Sequence, residues 1–122
     1  MISEAEAVVM EVLWRGSPRS AEEILAEVGR AQQWQEGTVK SLLNRLLKKK
    51  AVKAERDGRR YLYSPLLARE KYLHQTSKSL LDRLFEGRVA PLVAHFAEQR
   101  KLSRKDIAEL RQLLEELDDE QP

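Results

Sequence analysis

Two adjoining stretches constrain the fold most: TVKSLLNRLLKKK over 38–50 and VKAERDGRRYLYS over 52–64. In the first, Val39, Leu42, Leu43 and Leu46 recur at i, i+3, i+4 and i+7, which is one apolar stripe of an α-helix. Burying that stripe leaves Thr38, Lys40, Ser41, Asn44, Arg45 and Lys48 on the other side, and none of them is acidic. The second stretch reads as strand, Asp57-Gly58 turn, strand, with Arg56, Arg59 and Arg60 gathered around the turn. A helix with a cationic, hydrogen-bonding outer face followed by a basic hairpin fits a duplex, with the helix in the major groove and the hairpin on the phosphates.

The preceding segment supplies two more helices. Ser3 and Glu6 have capping-box spacing, Ala5, Val9, Val12 and Leu13 form a stripe, and Gly16 with Pro18 predicts the stop. Ser20 and Glu23 repeat the box, followed by Ala21, Ile24, Leu25 and Val28. Gly29 is the expected end of that helix, which makes 30–36 a connector containing Trp34. Helix, helix, helix, hairpin is the order of a winged helix-turn-helix, expected here over residues 1–65.

Beyond Pro65 the pattern is purely helical, so the fold class is mainly α, with a second, helical domain over 66–122. Ala68–Glu86 carries Tyr72, Leu73, Thr76, Leu80, Leu84 and Phe85 on a broad face before Gly87. Val89, Leu92, Val93 and Phe96 make a shorter stripe, with Pro91 in its first turn. Ser103 and Asp106 precede Ile107, Leu110, Leu113, Leu114 and Leu117. Three amphipathic helices in so short a segment have little to bury against within one chain. A self-contained bundle is one solution. Packing against a second copy is preferred, because two-fold dimers are the commonest oligomers and suit paired half-sites on DNA. The expected dimerisation residues are Tyr72, Leu73, Leu80, Leu84, Phe85, Leu92, Phe96, Ile107, Leu110 and Leu114.

The formal net charge of +2 conceals segregation. Residues 1–36 hold three basic against seven acidic side chains, residues 37–63 nine against two, and residues 106–122 one against seven. A polyanion responds to the local field, so the central block matters more than the total. A charge run is often just a solvated helix face. That reading suits the acidic tail, but not the central block, which coincides with the polar helix side and the hairpin. No apolar run approaches the roughly 18 residues of a membrane span, and MISEAEAVVM lacks the basic flank of a secretory signal. The absence of cysteine excludes disulfides and thiolate metal sites. A cytoplasmic protein is expected.

Nothing in the sequence assembles a catalytic site, a metal site or a cofactor site. His74 and His95 lie on different expected helices without a second ligand at i+4, and Ser3, Ser20 and Ser103 are accounted for as caps. The five glycines, Gly16, Gly29, Gly37, Gly58 and Gly87, each read as element boundaries rather than as a phosphate loop. Core packing is the expected role of Trp14, Tyr61 and Tyr63, and Trp34 is expected to staple the third helix.

The polar residues of the basic block sort by depth. Gly37, Thr38, Lys40 and Ser41, at the start of the recognition helix, would reach deepest into the groove, and Asn44 and Arg45 would follow one turn on. Lys48, Lys49 and Lys50 are expected to contact phosphates or complement the helix dipole. Arg56, Arg59 and Arg60 would clamp the backbone or enter the minor groove from the wing.

These residues also carry a resemblance. Ser3-Glu4-Ala5-Glu6, Val9-Met10 through Leu13-Trp14, Ser20-Ala21 with Glu23-Ile24, and Trp34 belong to it. So do Thr38-Val39, Leu42-Leu43, Arg45-Leu46, Lys48-Lys49, Gly58-Arg59, Tyr61, Tyr63 and Pro65. In these the chain resembles the penicillinase-repressor family of bacterial winged-helix proteins, the BlaI/MecI/CopY group, over nearly its whole length. The resemblance implies a homodimeric repressor of a promoter palindrome that controls a β-lactamase or related resistance operon, with an N-terminal DNA-binding and a C-terminal dimerisation domain. It places base and phosphate contacts at Thr38, Lys40, Ser41 and Arg45. Members that respond to β-lactams are cut at an Asn-Phe bond through a membrane sensor protease; the matching pair here is His95-Phe96. Copper-responsive members carry Cys-x-Cys pairs, a mode of sensing closed to a chain without cysteine. Lys50 stands where many relatives have the glycine that stops the recognition helix. The rival reading, a winged helix used only as a protein-interaction module, requires an apolar patch on the outer side of the third helix.

Overall fold

A computed structural model of the protein describes residues 1–120. The elements run α1 (Glu4–Arg15), α2 (Ala21–Gln32), α3 (Glu36–Lys48), β1 (Val52–Asp57), β2 (Arg60–Pro65), α4 (Arg69–Leu84), α5 (Val89–Glu98) and α6 (Arg104–Glu120). Mainly helical with a two-stranded wing, the chain divides into two compact units, Met1–His74 and the residues from Gln75 onward.

In the first unit both capping boxes form. The Ser3 hydroxyl accepts the Glu6 amide at 3.1 Å while the Glu6 carboxylate accepts the Ser3 amide at 2.8 Å. Ser20 and Glu23 repeat this at 3.1 and 2.9 Å. Each box satisfies two amides that a helix start otherwise leaves open. The core joins Val9, Met10, Val12 and Leu13 of α1 to Ile24 of α2 and to Val39, Leu42, Leu43 and Leu46 of α3, and Val52 and Tyr63 of the hairpin close it. Each such side chain contributes about 1.5–3 kcal/mol on burial, before the entropy of ordering it. Trp14 extends this unit beyond β2: its indole N–H donates to the Leu67 carbonyl at 2.9 Å, and its ring packs 5.5 Å from that of Tyr72.

The hairpin is antiparallel with Ala54 opposite Tyr63 and Asp57 opposite Arg60, so its loop is Gly58-Arg59, one residue later than the expected Asp57-Gly58. Gly58 has φ 64°, while Arg59 is not among the positive-φ residues. A positive φ at the first loop position alone is the type II′ pattern, which glycine adopts without a Cβ clash. Arg19, just before α2, exchanges two backbone hydrogen bonds with Tyr63 at 3.0 and 2.8 Å, pinning the wing to the helix pair.

Helix ends depart from expectation for one physical reason. α2 runs through Gly29 to Gln32, and the left-handed turn that ends it is taken by Gln33 at φ 58°. Gly29 is instead a buried packing position, where an added Cβ would lie 2.6 Å from Leu25 Cδ1. Neither it nor Gly37, the second residue of α3, stands at a helix end that needs glycine. α3 ends the same way as α2: Lys50 has φ 60°, its amide bonds the Leu47 carbonyl at 3.0 Å, and the Ala51 amide bonds Leu46 at 2.9 Å. This is a Schellman closure with lysine in the glycine position. Lys50→Gly is therefore expected to stabilise the first unit by about 0.5–1 kcal/mol in chemical denaturation, since relief at φ > 0 outweighs the added unfolded-state freedom. A loss of stability would contradict this account. Tyr61 also departs: it is 51% exposed, because it lies nearer the wing tip, where the core has run out, whereas Tyr63 is buried.

The second unit begins within α4. Glu86 and Gly87 take positive φ between α4 and α5, and the side chains of Ser103 and Asp106 each accept the other's amide, at 3.0 and 3.1 Å, to start α6. The His95 ring sits between those of Phe85 and Phe96, at centroid distances of 6.3 and 5.3 Å. Among the described residues α4, α5 and α6 contain no buried side chain, and Leu84, Leu113 and Leu114 remain 64, 55 and 60% exposed. No helix of the described residues is long and apolar enough to cross a membrane.

Candidate nucleic-acid interface

Because Val39, Leu42, Leu43 and Leu46 are all drawn into the core, α3 is rotated so that Gly37, Thr38, Lys40, Ser41, Asn44, Arg45 and Lys48 are all exposed. Arg56, Arg59 and Arg60 on the wing are exposed as well. No side chain caps α3, in contrast to the boxes of α1 and α2, so its opening amides are not used internally by a capping residue.

The cations differ in how free they are. Lys40 pairs with Glu36 at 3.1 Å, and Arg60 lies 3.3 Å from Asp57 and 3.9 Å from Glu23. Arg56 Nε donates to the Gly58 carbonyl at 3.1 Å and orders the loop without losing its charge. Arg45, Lys48 and Arg59 form neither an ion pair nor a side-chain hydrogen bond among the described residues. Exposed pairs of this kind are worth little to stability, so Lys40 and Arg60 can exchange carboxylates for phosphates at small cost. A shallow cleft between the starts of α2 and α3 and the wing is lined by Ser20, Glu36, Lys40, Arg59, Arg60 and Tyr61. Glu36 escaped the sequence reading, which began the helix at Thr38. An acidic residue two positions earlier, favourable at the positive end of the helix dipole, was the available signal.

Lys49 and Lys50, expected on phosphates or as complements of the helix dipole, both stand at the C-terminal end of α3. Lys50 occupies the turn that ends α3. Lys49 Nζ lies 2.6 Å from Glu6 Oε1 and 2.6 Å from the Met1 carbonyl oxygen, so its charge is committed within the protein. Glu6 is only 1% exposed. Burial alone would raise its carboxyl pKa; hydrogen bonds from Lys49 and Ser3, with the Lys49 charge, outweigh that and hold it below the ordinary value. Trp34 is half-buried against the core, and its amide bonds the Gly29 carbonyl at 2.8 Å, the packing role expected of it.

In the helical region Leu73, Leu80, Leu84, Phe96, Ile107 and Leu114 are exposed, whereas Tyr72, Phe85, Leu92 and Leu110 are partly covered. His95 and Phe96 are exposed and lie inside α5, not in a loop.

Three helices, a hairpin wing, and a third helix that turns an uncovered polar and cationic side outward define a winged-helix DNA-binding regulator. Residues 2–116 match the model of the family described as penicillinase repressor, and the chain belongs to that family of transcriptional repressors, which are not enzymes. It is 36% identical to the penicillinase repressor of Bacillus licheniformis over 94% of this chain and 90% of that one. It is 32% identical to the methicillin resistance regulatory protein MecI of Staphylococcus aureus (strain N315), over 93% of this chain and 92% of that one. The solution structure of monomeric Bacillus licheniformis BlaI in complex with the blaP half-operator is also similar. It has a TM-score of 0.52 at 33% identity, covering 59% of this chain and 88% of that one.

Proposed function

We propose that the protein is a homodimeric repressor that occupies a promoter operator with inverted half-sites and excludes polymerase from it. α3 enters the major groove, with Thr38, Lys40, Ser41 and Arg45 at base edges and adjacent phosphates and Gly37, Asn44 and Lys48 flanking them; Arg56, Arg59 and Arg60 follow the backbone from the wing. One observation carries this reading: the apolar stripe of α3 is wholly consumed by the core while its polar flank stays bare. An interaction module would need an apolar outer side on α3, and that side is cationic and hydrogen-bonding. The BlaI half-operator complex, at 33% identity, supports DNA as the partner.

Dimerisation is assigned to the region from residue 66 onward, where Leu73, Leu80, Leu84, Leu113, Leu114 and Leu117 remain exposed in the single chain. Kinship with a penicillinase repressor and a methicillin resistance regulator supports a β-lactamase or related resistance operon as the target. Relief is assigned to proteolysis at His95-Phe96, carried out in the cytoplasm through a membrane sensor protease. That peptide bond lies within α5, so cutting it requires α5 to unwind locally, and the DNA-reading side is left untouched.

Fluorescence anisotropy against a duplex enriched from a randomised pool by the wild-type protein, beside a scrambled duplex, tests the roles. Arg45→Ala and Thr38→Ala are expected to cost about 1–3 kcal/mol on the enriched duplex and little on the scrambled one. Arg59→Ala should weaken both alike and lower the salt slope by about one per protomer. An Arg59→Ala protein that lost only the specific complex would contradict its assignment to the backbone.

A further inference from the structure

Lys49 is the one cation of the basic block that forms a hydrogen-bonded ion pair with a buried carboxylate among the described residues. It is the C-cap residue of α3, and its ammonium reaches the Glu6 carboxylate that already caps the start of α1. One carboxylate therefore fixes the beginning of α1 and the end of α3, across 43 positions of sequence. The arrangement is demanding. Glu6 is almost fully buried, and its second oxygen, Oε2, has no partner among the described residues, so Lys49 is the only cation that compensates this charge. The stripe of Val39, Leu42, Leu43 and Leu46 sets the rotation of α3 about its axis, but a stripe of aliphatic contacts tolerates a tilt. A charge-assisted hydrogen bond at the last turn does not.

We infer that Lys49 is a positioning residue for DNA recognition: it never touches the nucleic acid, and it holds the C-terminal end of α3 against the cap of α1 so that Arg45 and Lys48 are presented at a set depth. Base-edge recognition depends on placement within about 0.5 Å, so a slackened end of α3 weakens reading without removing a contact. This rests on the reading of α3 as the recognition helix.

The test compares Lys48→Met, Lys49→Met, Lys49→Arg and Glu6→Gln with the wild type, on the enriched and scrambled duplexes, as a function of salt. Lys49→Met and Glu6→Gln are each expected to lower affinity for the enriched duplex about tenfold while keeping the wild-type slope of log K against log salt, because no phosphate contact is lost. The double variant should be no worse than the weaker single variant, and Lys49→Arg should restore most of the binding. Lys48→Met should instead flatten the slope by about one per protomer. If Lys49→Met flattened the slope as Lys48→Met does, with Glu6→Gln silent, Lys49 would be a phosphate contact and the assignment overturned. Wild-type affinity in both Lys49→Met and Glu6→Gln would overturn it equally. Should Lys49→Met not fold, Glu6→Gln decides the matter, since the amide oxygen retains the Ser3 cap and only the charge is lost. Failure of the wild-type protein to enrich any duplex would sink the recognition reading itself, an outcome distinct from a changed slope.

Discussion

Affinity for the operator is expected to fall roughly 10³-fold as monovalent salt rises from about 50 to about 200 mM. The expectation follows from which cations are free rather than from how many there are. Lys49 drops out, its ammonium tied to Glu6, whereas Lys50 takes the backbone turn that ends α3 and keeps an exposed ammonium. Arg45, Lys48, Arg56 and Arg59 remain exposed without an ion pair among the described residues. With Arg45 reserved for base edges, two protomers then offer on the order of six phosphate contacts, each contributing about −0.9 to the slope of log K against log salt. A log–log salt titration by anisotropy measures the slope directly. A slope shallower than about −2 would mean that the wing and the end of α3 do not reach the backbone.

Disrupting the proposed dimer is expected to be as damaging. Leu84 and Leu114, 64 and 60% exposed in the single chain, are the side chains whose replacement by aspartate should cost an interface most and a lone chain least. Leu84→Asp and Leu114→Asp together should shift the protein to a monomer in sedimentation and lower operator affinity by about 10²–10⁴-fold, as two linked half-site contacts become one. The first unit should melt as before, because its core contains neither residue. A wild-type protein that sediments as a monomer at micromolar concentration, or a double aspartate variant that remains a dimer, would remove the helical region from this role.

Much of the fold was legible because its decisive signals are local. Ser3 with Glu6, Ser20 with Glu23 and Ser103 with Asp106 start helices where their spacing says they should. The stripe from Val39 to Leu46 announced which side of α3 would be buried, and hence which side would stay bare. Helix ends were less legible. The rule that seeks glycine in the left-handed closing position fails where Gln33, Lys50 and Arg100 adopt it, and nothing in their side chains advertises the conformation. Tyr61 was misjudged because alternation says which way a strand residue points, not how far the core extends beneath it. Glu36 lies outside the segment that the apolar stripe marks, because the first turn of α3 precedes Val39 and carries no apolar residue. The fate of Lys49 was not legible at all. From its neighbours it is one lysine of three, and only the packing of α1 on α3 brings it to a carboxylate near the other end of the domain.

That carboxylate has a chemical temperament of its own. Its proton affinity is lowered by folding, so its contribution to stability is fully present above the ordinary carboxylate range and disappears only as pH falls through the depressed folded value. A drift in acidity around neutrality leaves Glu6 ionised and the grip on Lys49 unchanged. On the proposal that Lys49 positions α3, the register in which that helix would meet an operator does not change with mild acidification.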